Sequence, residues 1–113
     1  MEFWYWKAKN GEQPAWDFIS GLPDEEAKQR LVKKLETYEQ YSFAALWRLE
    51  TFKKVEGMIE IRILLNGQHY RLFGAMEEHR CILFYGFVKK SRKIPLKHLK
   101  AAINNFKQYK NNH

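Results

Sequence analysis

The sequence has little cysteine, proline or glycine, and it has no long apolar run. Its 113 residues include one cysteine, Cys81, with 3 prolines and 6 glycines. A single cysteine cannot form an internal disulfide, which excludes a disulfide-stapled secreted mini-protein and favours a reducing, cytoplasmic location. No apolar run approaches the roughly 18 residues that span a bilayer, and no basic-then-apolar leader is visible. We therefore expect a soluble protein with no membrane partner.

Motifs for metal and nucleotide chemistry are also lacking. The cysteine and the four histidines show no paired spacing typical of zinc ligands; the histidines are His69, His79, His98 and His113. The sequence has neither a glycine-rich phosphate loop nor a nucleophile-elbow motif. We expect no metal site and no cofactor.

The chain does contain ample material for one core, because 45% of its residues are hydrophobic and 16% aromatic. A chain of this length buries roughly 65% of its unfolded surface, so we expect residues 1–113 to form a single domain.

Charge is divided unevenly along the chain. Residues 1–61 hold 9 Lys/Arg and 11 Asp/Glu, whereas residues 62–113 hold 11 Lys/Arg and only Glu77 and Glu78 as acids. This division favours a polyanionic partner, nucleic acid or acidic protein, over a merely solvated surface.

Apolar periodicity and turn residues predict an α+β fold. The expected architecture is a small, mainly antiparallel sheet with two N-terminal helices and a C-terminal helix. Strands are predicted at 2–7, 47–49 (short and weak), 58–65, 68–76 and 80–88, the last at the centre of the sheet. Helices are predicted at 15–19, at 24–41 and from Pro95 to near Tyr109.

Arginines alternate with apolar residues on two of these strands. Asn66-Gly67 is the strongest hairpin signal, and a two-residue loop there pairs Arg62 directly with Arg71. Like charges in opposite positions are destabilising, so Glu60, solvent or an anionic ligand must relieve them. The arrangement could be a phosphate clamp on an exposed basic face, or a pair that Glu60 and exposure suffice to tolerate.

A basic loop follows the last strand and directly precedes a helix N-terminus. Four cations occupy five positions there, and helix-end amides add affinity for anions; these cations are Lys89, Lys90, Arg92 and Lys93. Tyr70, Tyr85 and Trp47 could stack on RNA bases, although most aromatics must be core.

Three segments carry a family resemblance. FWYWKAKNGEQPAWDFI, LWRLETFKKVEGMIEIRILLNGQHYRLF and ILFYGFVKKSRKIP resemble the RelE/HigB-like toxins of type II toxin–antitoxin pairs, in the phage-derived HigB-type branch. The resemblance implies cleavage of translated mRNA in the ribosomal A site, and a helix-turn-helix antitoxin that forms a hetero-oligomer with the toxin. It also implies functional cations at Arg62, Arg71, Lys89, Lys90 and Lys93. The chain departs from the family pattern at Ile94, where threonine is usual, at His98, where an acid is usual, and at Asn105, where arginine is usual.

RNA cleavage through the 2′-hydroxyl requires a base, stabilisation of charge on phosphorus, and an acid for the 5′-oxygen. Arginines suit the second task. Crowding by cations lowers a lysine pKa, so Lys89 or Lys90 could exchange protons, and His98 is a rival if the last helix faces the site. A gyrase-directed toxin of the same fold and a non-catalytic nucleic-acid-binding module are the alternatives.

Overall fold

The computed structural model describes residues 1–111, which form one sheet with helices on both of its faces. The elements are β1 (Glu2–Tyr5), α1 (Pro14–Ser20), α2 (Glu25–Tyr38), α3 (Phe43–Arg48), β2 (Phe52–Val55), β3 (Met58–Leu65), β4 (Gln68–Glu77), β5 (Arg80–Lys89) and α4 (Leu96–Asn111). The α+β class is confirmed. His113 lies outside the described residues.

The sheet is mixed, with the strand order β1-β5-β4-β3-β2. Strand β1 runs parallel to β5, whereas the β5–β4, β4–β3 and β3–β2 pairs are antiparallel. The predicted central position of the last strand is wrong by one place. Strand β5 has neighbours on both sides, but β4 is the middle strand.

Three helices, rather than the expected two, precede the second strand. The weak strand predicted at 47–49 is wrong, because Trp47 belongs to α3. Ser42 caps this helix by accepting a hydrogen bond from the Ala45 amide at 3.1 Å. Helical spacing then places Phe43 and Trp47 one turn apart, with their rings in edge-to-face contact. The three residues 47–49, on which the strand prediction rested, are too few to reveal this helical spacing.

The two faces of the sheet carry separate apolar cores. Helices α1, α2 and α3 cover one face, where Ile61, Leu72 and Leu83 are buried. Helix α4 covers part of the other face, which buries Phe73 and Phe84. It packs mainly along β5. We refer to this side of the sheet as the α4 face.

A β-bulge in β5 determines which side chains share the α4 face. Phe73 pairs with Tyr85 but the next residue, Gly74, pairs with Leu83, so Phe84 is the extra residue. The bulge reverses the alternation and turns Tyr85 toward the α4 face together with Phe84. The Asn105 side-chain amide of α4 donates to the Phe84 carbonyl at 2.8 Å, which ties the helix to the bulge.

The β3–β4 hairpin has the predicted register. Asn66 and Gly67 have φ angles of 50° and 78°, the left-handed pair that a tight two-residue hairpin turn requires. Leu65 consequently pairs with Gln68, and Arg62 with Arg71. Within residues 1–111, none of the helices combines the length and apolar character that membrane crossing requires.

Candidate functional site

Two opposed arginines on the α4 face share one buried carboxylate. Arg62 and Arg71 are register partners on β3 and β4, and Glu60 lies two residues before Arg62 on the same face. Glu60 Oε2 is 3.5 Å from Arg71 Nε, and Glu60 Oε1 is 4.0 Å from Arg62 Nε. Glu60, solvent and an anionic ligand were the three expected sources of relief for the arginine pair, and the structure places Glu60 beside both arginines. Glu60 lowers the repulsion between guanidiniums that the register forces together.

Arg71 is buried, which corrects the expectation of an exposed basic face for this residue. It is 4% exposed and Glu60 is 3% exposed. Burial lowers the pKa of Arg71, and the Glu60 carboxylate opposes that shift. Neither Glu60 Oε2 nor Arg71 Nε has a hydrogen-bond partner in the described chain, so the two groups form a close ion pair that is poorly aligned for hydrogen bonding. The attraction between the Glu60 carboxylate and the Arg71 guanidinium is therefore mainly electrostatic.

An open cleft of about 700 Å³ lies between the hairpin turn and the basic loop, with Arg71 at its floor. The loop and the end of β5 contribute most of its positive charge; the cleft is lined by Gly67, Gln68, His69, Arg71, Lys89, Lys90, Ser91 and Arg92. We call this space the cationic cleft. Its lining provides two guanidinium groups, from Arg71 and Arg92, and two ammonium groups, from Lys89 and Lys90, which suit phosphate oxygens.

Lys89 has the most perturbed environment among the loop cations. It is the register partner of His69 and ends β5 on the α4 face. Partial burial is the larger cause that lowers the pKa of Lys89, and the charge of Arg71, a crowding cation of the kind that was expected, is the smaller one. Lys90 and Arg92 line the cationic cleft with it, whereas Lys93 lies outside the lining.

Tyr85 on β5 and His98 on α4 form a polar pair on the α4 face of the sheet. The Tyr85 hydroxyl and His98 Nδ1 are 2.6 Å apart, and the His98 ring stacks on Phe87 at 4.4 Å. Phe87 is in turn the register partner of Arg71. Phe87 therefore connects His98 to the strand position of Arg71, although neither His98 nor Tyr85 is among the residues that line the cationic cleft. Burial, with a smaller contribution from Lys97, lowers the pKa of His98, while burial raises that of Tyr85.

Two aromatic residues expected to stack on bases lie in the other core. Tyr70 is 6% exposed and packs beside Phe18 on the face opposite Arg71, because neighbouring residues of a strand point to opposite sides. Trp47 is partly buried against Phe43 and Phe52. Stacking by Tyr70 would require it to leave the core, so this expectation is corrected.

A second, smaller groove of about 300 Å³ adjoins the arginines on the β3 side. It shares two residues with the cationic cleft and is lined by Leu49, Glu50, Arg62, Ile63, Leu64, His69 and Arg71. Sequence reasoning missed His69, which lines both spaces. Its place two residues before Arg71 on a strand was the available signal, because that spacing puts both side chains on one face.

Among residues 1–111, no three His, Cys, Asp or Glu side chains lie close enough together to hold a metal ion. Of the residues that depart from the resemblance, Ile94 packs against the core under α4. His98 contacts Tyr85 and Phe87, and Asn105 anchors the β5 bulge. Each of the three has a structural role in α4 or at its start.

Fold and site together define a small α+β protein whose sheet presents an open cationic cleft. The chain belongs to the family described as Phage derived protein Gp49-like (DUF891), whose profile matches residues 17–107. The matched segment includes every residue of the cationic cleft. The family is phage-derived, toxin-like and related to toxin–antitoxin systems, which implies an antitoxin partner. A comparison with curated proteins finds no match.

Proposed function

We propose that the protein is a RelE/HigB-like mRNA endonuclease, the toxin of a type II pair, which cuts translated mRNA on the ribosome. The observation that carries the proposal is the buried Arg71, held by Glu60 opposite Arg62 at the floor of a cleft that Lys89 and Lys90 flank. Burying an arginine beside another arginine is costly. A site that must bind a phosphate and stabilise further negative charge on it has a use for this arrangement.

In the proposed reaction the 2′-oxygen attacks the adjacent phosphorus as the bond to the 5′-oxygen breaks. The products are a 2′,3′-cyclic phosphate and a free 5′-hydroxyl. Arg62 and Arg71 bind the non-bridging oxygens and stabilise the charge that grows on them in the transition state. A guanidinium keeps its proton at every physiological pH, so the two arginines supply charge and geometry, and other groups move protons.

Proton transfer is assigned to His98 and Lys89. The lowered pKa of His98 keeps its imidazole neutral near pH 7. If Nδ1–H donates to the Tyr85 oxygen, Nε2 keeps a free lone pair and can accept the 2′-hydroxyl proton. Lys89, still protonated but with a lowered pKa, can donate to the leaving 5′-oxygen. Tyr85 thus acts as a positioning residue for His98.

The proposal is tested by induced expression followed by mapping of RNA 5′ ends. We expect new 5′ ends inside translated codons for the wild-type protein. The Arg71→Lys variant retains the charge beside Glu60 but loses the planar fork, and it should give at least tenfold fewer ends. Intact mRNA with DNA-damage signalling would indicate the gyrase-directed alternative. RNA binding without new ends would indicate a non-catalytic module.

A further inference from the structure

We infer that the groove beside Arg62 is a nucleobase subsite, and that Glu50 selects guanine there. The inference rests on the proposed function, because it names the nucleotide next to the phosphate that Arg62 and Arg71 hold. The groove shares His69 and Arg71 with the cationic cleft. A single strand with one phosphate at the arginines can therefore place a neighbouring base in it.

The groove has an apolar wall that the fold does not use. Leu49 is 62% exposed and Leu64 is 58% exposed, and both line it. Each is among the most exposed large apolar side chains in residues 1–111. The flat face of a base would cover apolar surface that is otherwise in contact with water.

The polar edge of the groove is Glu50, in a conformation that glutamate rarely adopts. Its φ is 60°, the left-handed position that follows a helix C-terminus and that glycine usually fills. Its amide donates to the Trp47 carbonyl, and the adjacent Thr51 accepts from the Arg62 amide at 2.9 Å. These hydrogen bonds hold Glu50 and Thr51 against β3 beside Arg62.

The Glu50 carboxylate is available to a ligand. Within the described residues it takes part in no ion pair or side-chain hydrogen bond. A carboxylate only accepts hydrogen bonds, and the Watson–Crick edge of guanine presents adjacent N1–H and N2–H donors that match its two oxygens. Adenine and cytosine offer one amino group, and uracil flanks its single N–H with carbonyls that repel the carboxylate.

The first test compares cleavage by the wild type, Glu50→Gln and Glu56→Gln on one mixed-sequence mRNA. Glu56 is a matched control, since it too is a glutamate with positive φ, 51°, and it lies in the turn between β2 and β3. We expect wild-type cuts to be enriched for guanine at one fixed position beside the scissile phosphate. Glu50→Gln should reduce that enrichment roughly tenfold, and Glu56→Gln should leave it unchanged. An identical base distribution in wild type and Glu50→Gln would overturn the inference.

A second measurement does not depend on cleavage. Titration with guanosine and uridine monophosphates should show roughly tenfold tighter binding of the guanosine compound by the wild type, and no such difference for Glu50→Gln. Absence of cleavage with this preference intact would reject the nuclease proposal and retain the subsite. Cleavage together with equal affinities for the two nucleotides would retain the nuclease proposal and reject the subsite.

Discussion

Removing one partner of the Glu60–Arg71 ion pair should lower stability far more than removing one partner of a surface ion pair in residues 1–111. Both residues are almost fully buried, and their charged atoms are 3.5 Å apart. Arg71→Met removes one partner and leaves the carboxylate in the sheet with only the more distant Arg62 to balance it. Breaking a buried pair in this way costs about 3–5 kcal/mol. A domain of this size has a free energy of unfolding of about 5–15 kcal/mol, so the loss is a large fraction of the total.

Urea denaturation of four proteins measures the coupling: wild type, Arg71→Met, Glu60→Leu and the double variant. With a slope of about 2 kcal/mol per molar urea, each single variant should lower the midpoint by roughly 2 M. The double variant should lose less than the two single variants together, because two apolar side chains replace the pair. Additive losses, or single-variant losses below about 1 kcal/mol, would refute this reasoning.

A matched control for this cycle is the helical surface pair between Lys28 and Glu25, whose charged atoms are 3.1 Å apart. Lys28→Met should change the free energy of unfolding by no more than about 0.5 kcal/mol, since exposed pairs are screened by solvent. A comparable loss in this control would mean that the measured effect of Arg71→Met does not report burial.

Three further predictions concern the site. Lys89→Gln should make the slope of log affinity against log salt, for single-stranded RNA, shallower by about 0.7, and an unchanged slope would mean that Lys89 contacts no phosphate. Lys97→Gln should raise the pKa of His98, because the positive charge of Lys97 helps to depress it. In the proposed reaction His98 must be neutral, so the rate should fall as pH drops through its lowered pKa, and the variant should lose activity at a higher pH than wild type. If the pH–rate profiles of wild type and Lys97→Gln fall at the same acidic pH, His98 is excluded as the base. Arg92→Glu should weaken antitoxin binding at low salt if the partner covers the basic loop, whereas unchanged affinity would indicate neutralisation from a distant surface.

The arginine pair was predictable from sequence because local rules determine it. A two-residue Asn66-Gly67 turn admits one register, and that register sets Arg62 opposite Arg71 whatever the rest of the chain does. The same alternation places Tyr70 on the opposite face from Arg71. The expectation that Tyr70 binds bases overlooked this constraint.

Other features depended on packing that local rules do not contain. The Phe84 bulge lies in a continuous apolar run, where no alternation marks the residue that changes face. The burial of Arg71 depends on more than its hairpin partner β3, because β5 with Phe87 lies on the other side of its strand. The contact of His98 with Tyr85 depends on where α4 crosses β5, and Asn105 helps to fix that position.

The most direct test of the central claim is cleavage of an mRNA, programmed into ribosomes, that carries a single 2′-deoxy nucleotide immediately before the mapped cut. The proposed reaction uses that 2′-oxygen as its nucleophile, so cleavage at the substituted position should fall by at least a hundredfold while the unmodified message gives a 2′,3′-cyclic phosphate and a 5′-hydroxyl. Undiminished cutting of the deoxy-substituted message, with a 5′-phosphate on the product, would contradict the account.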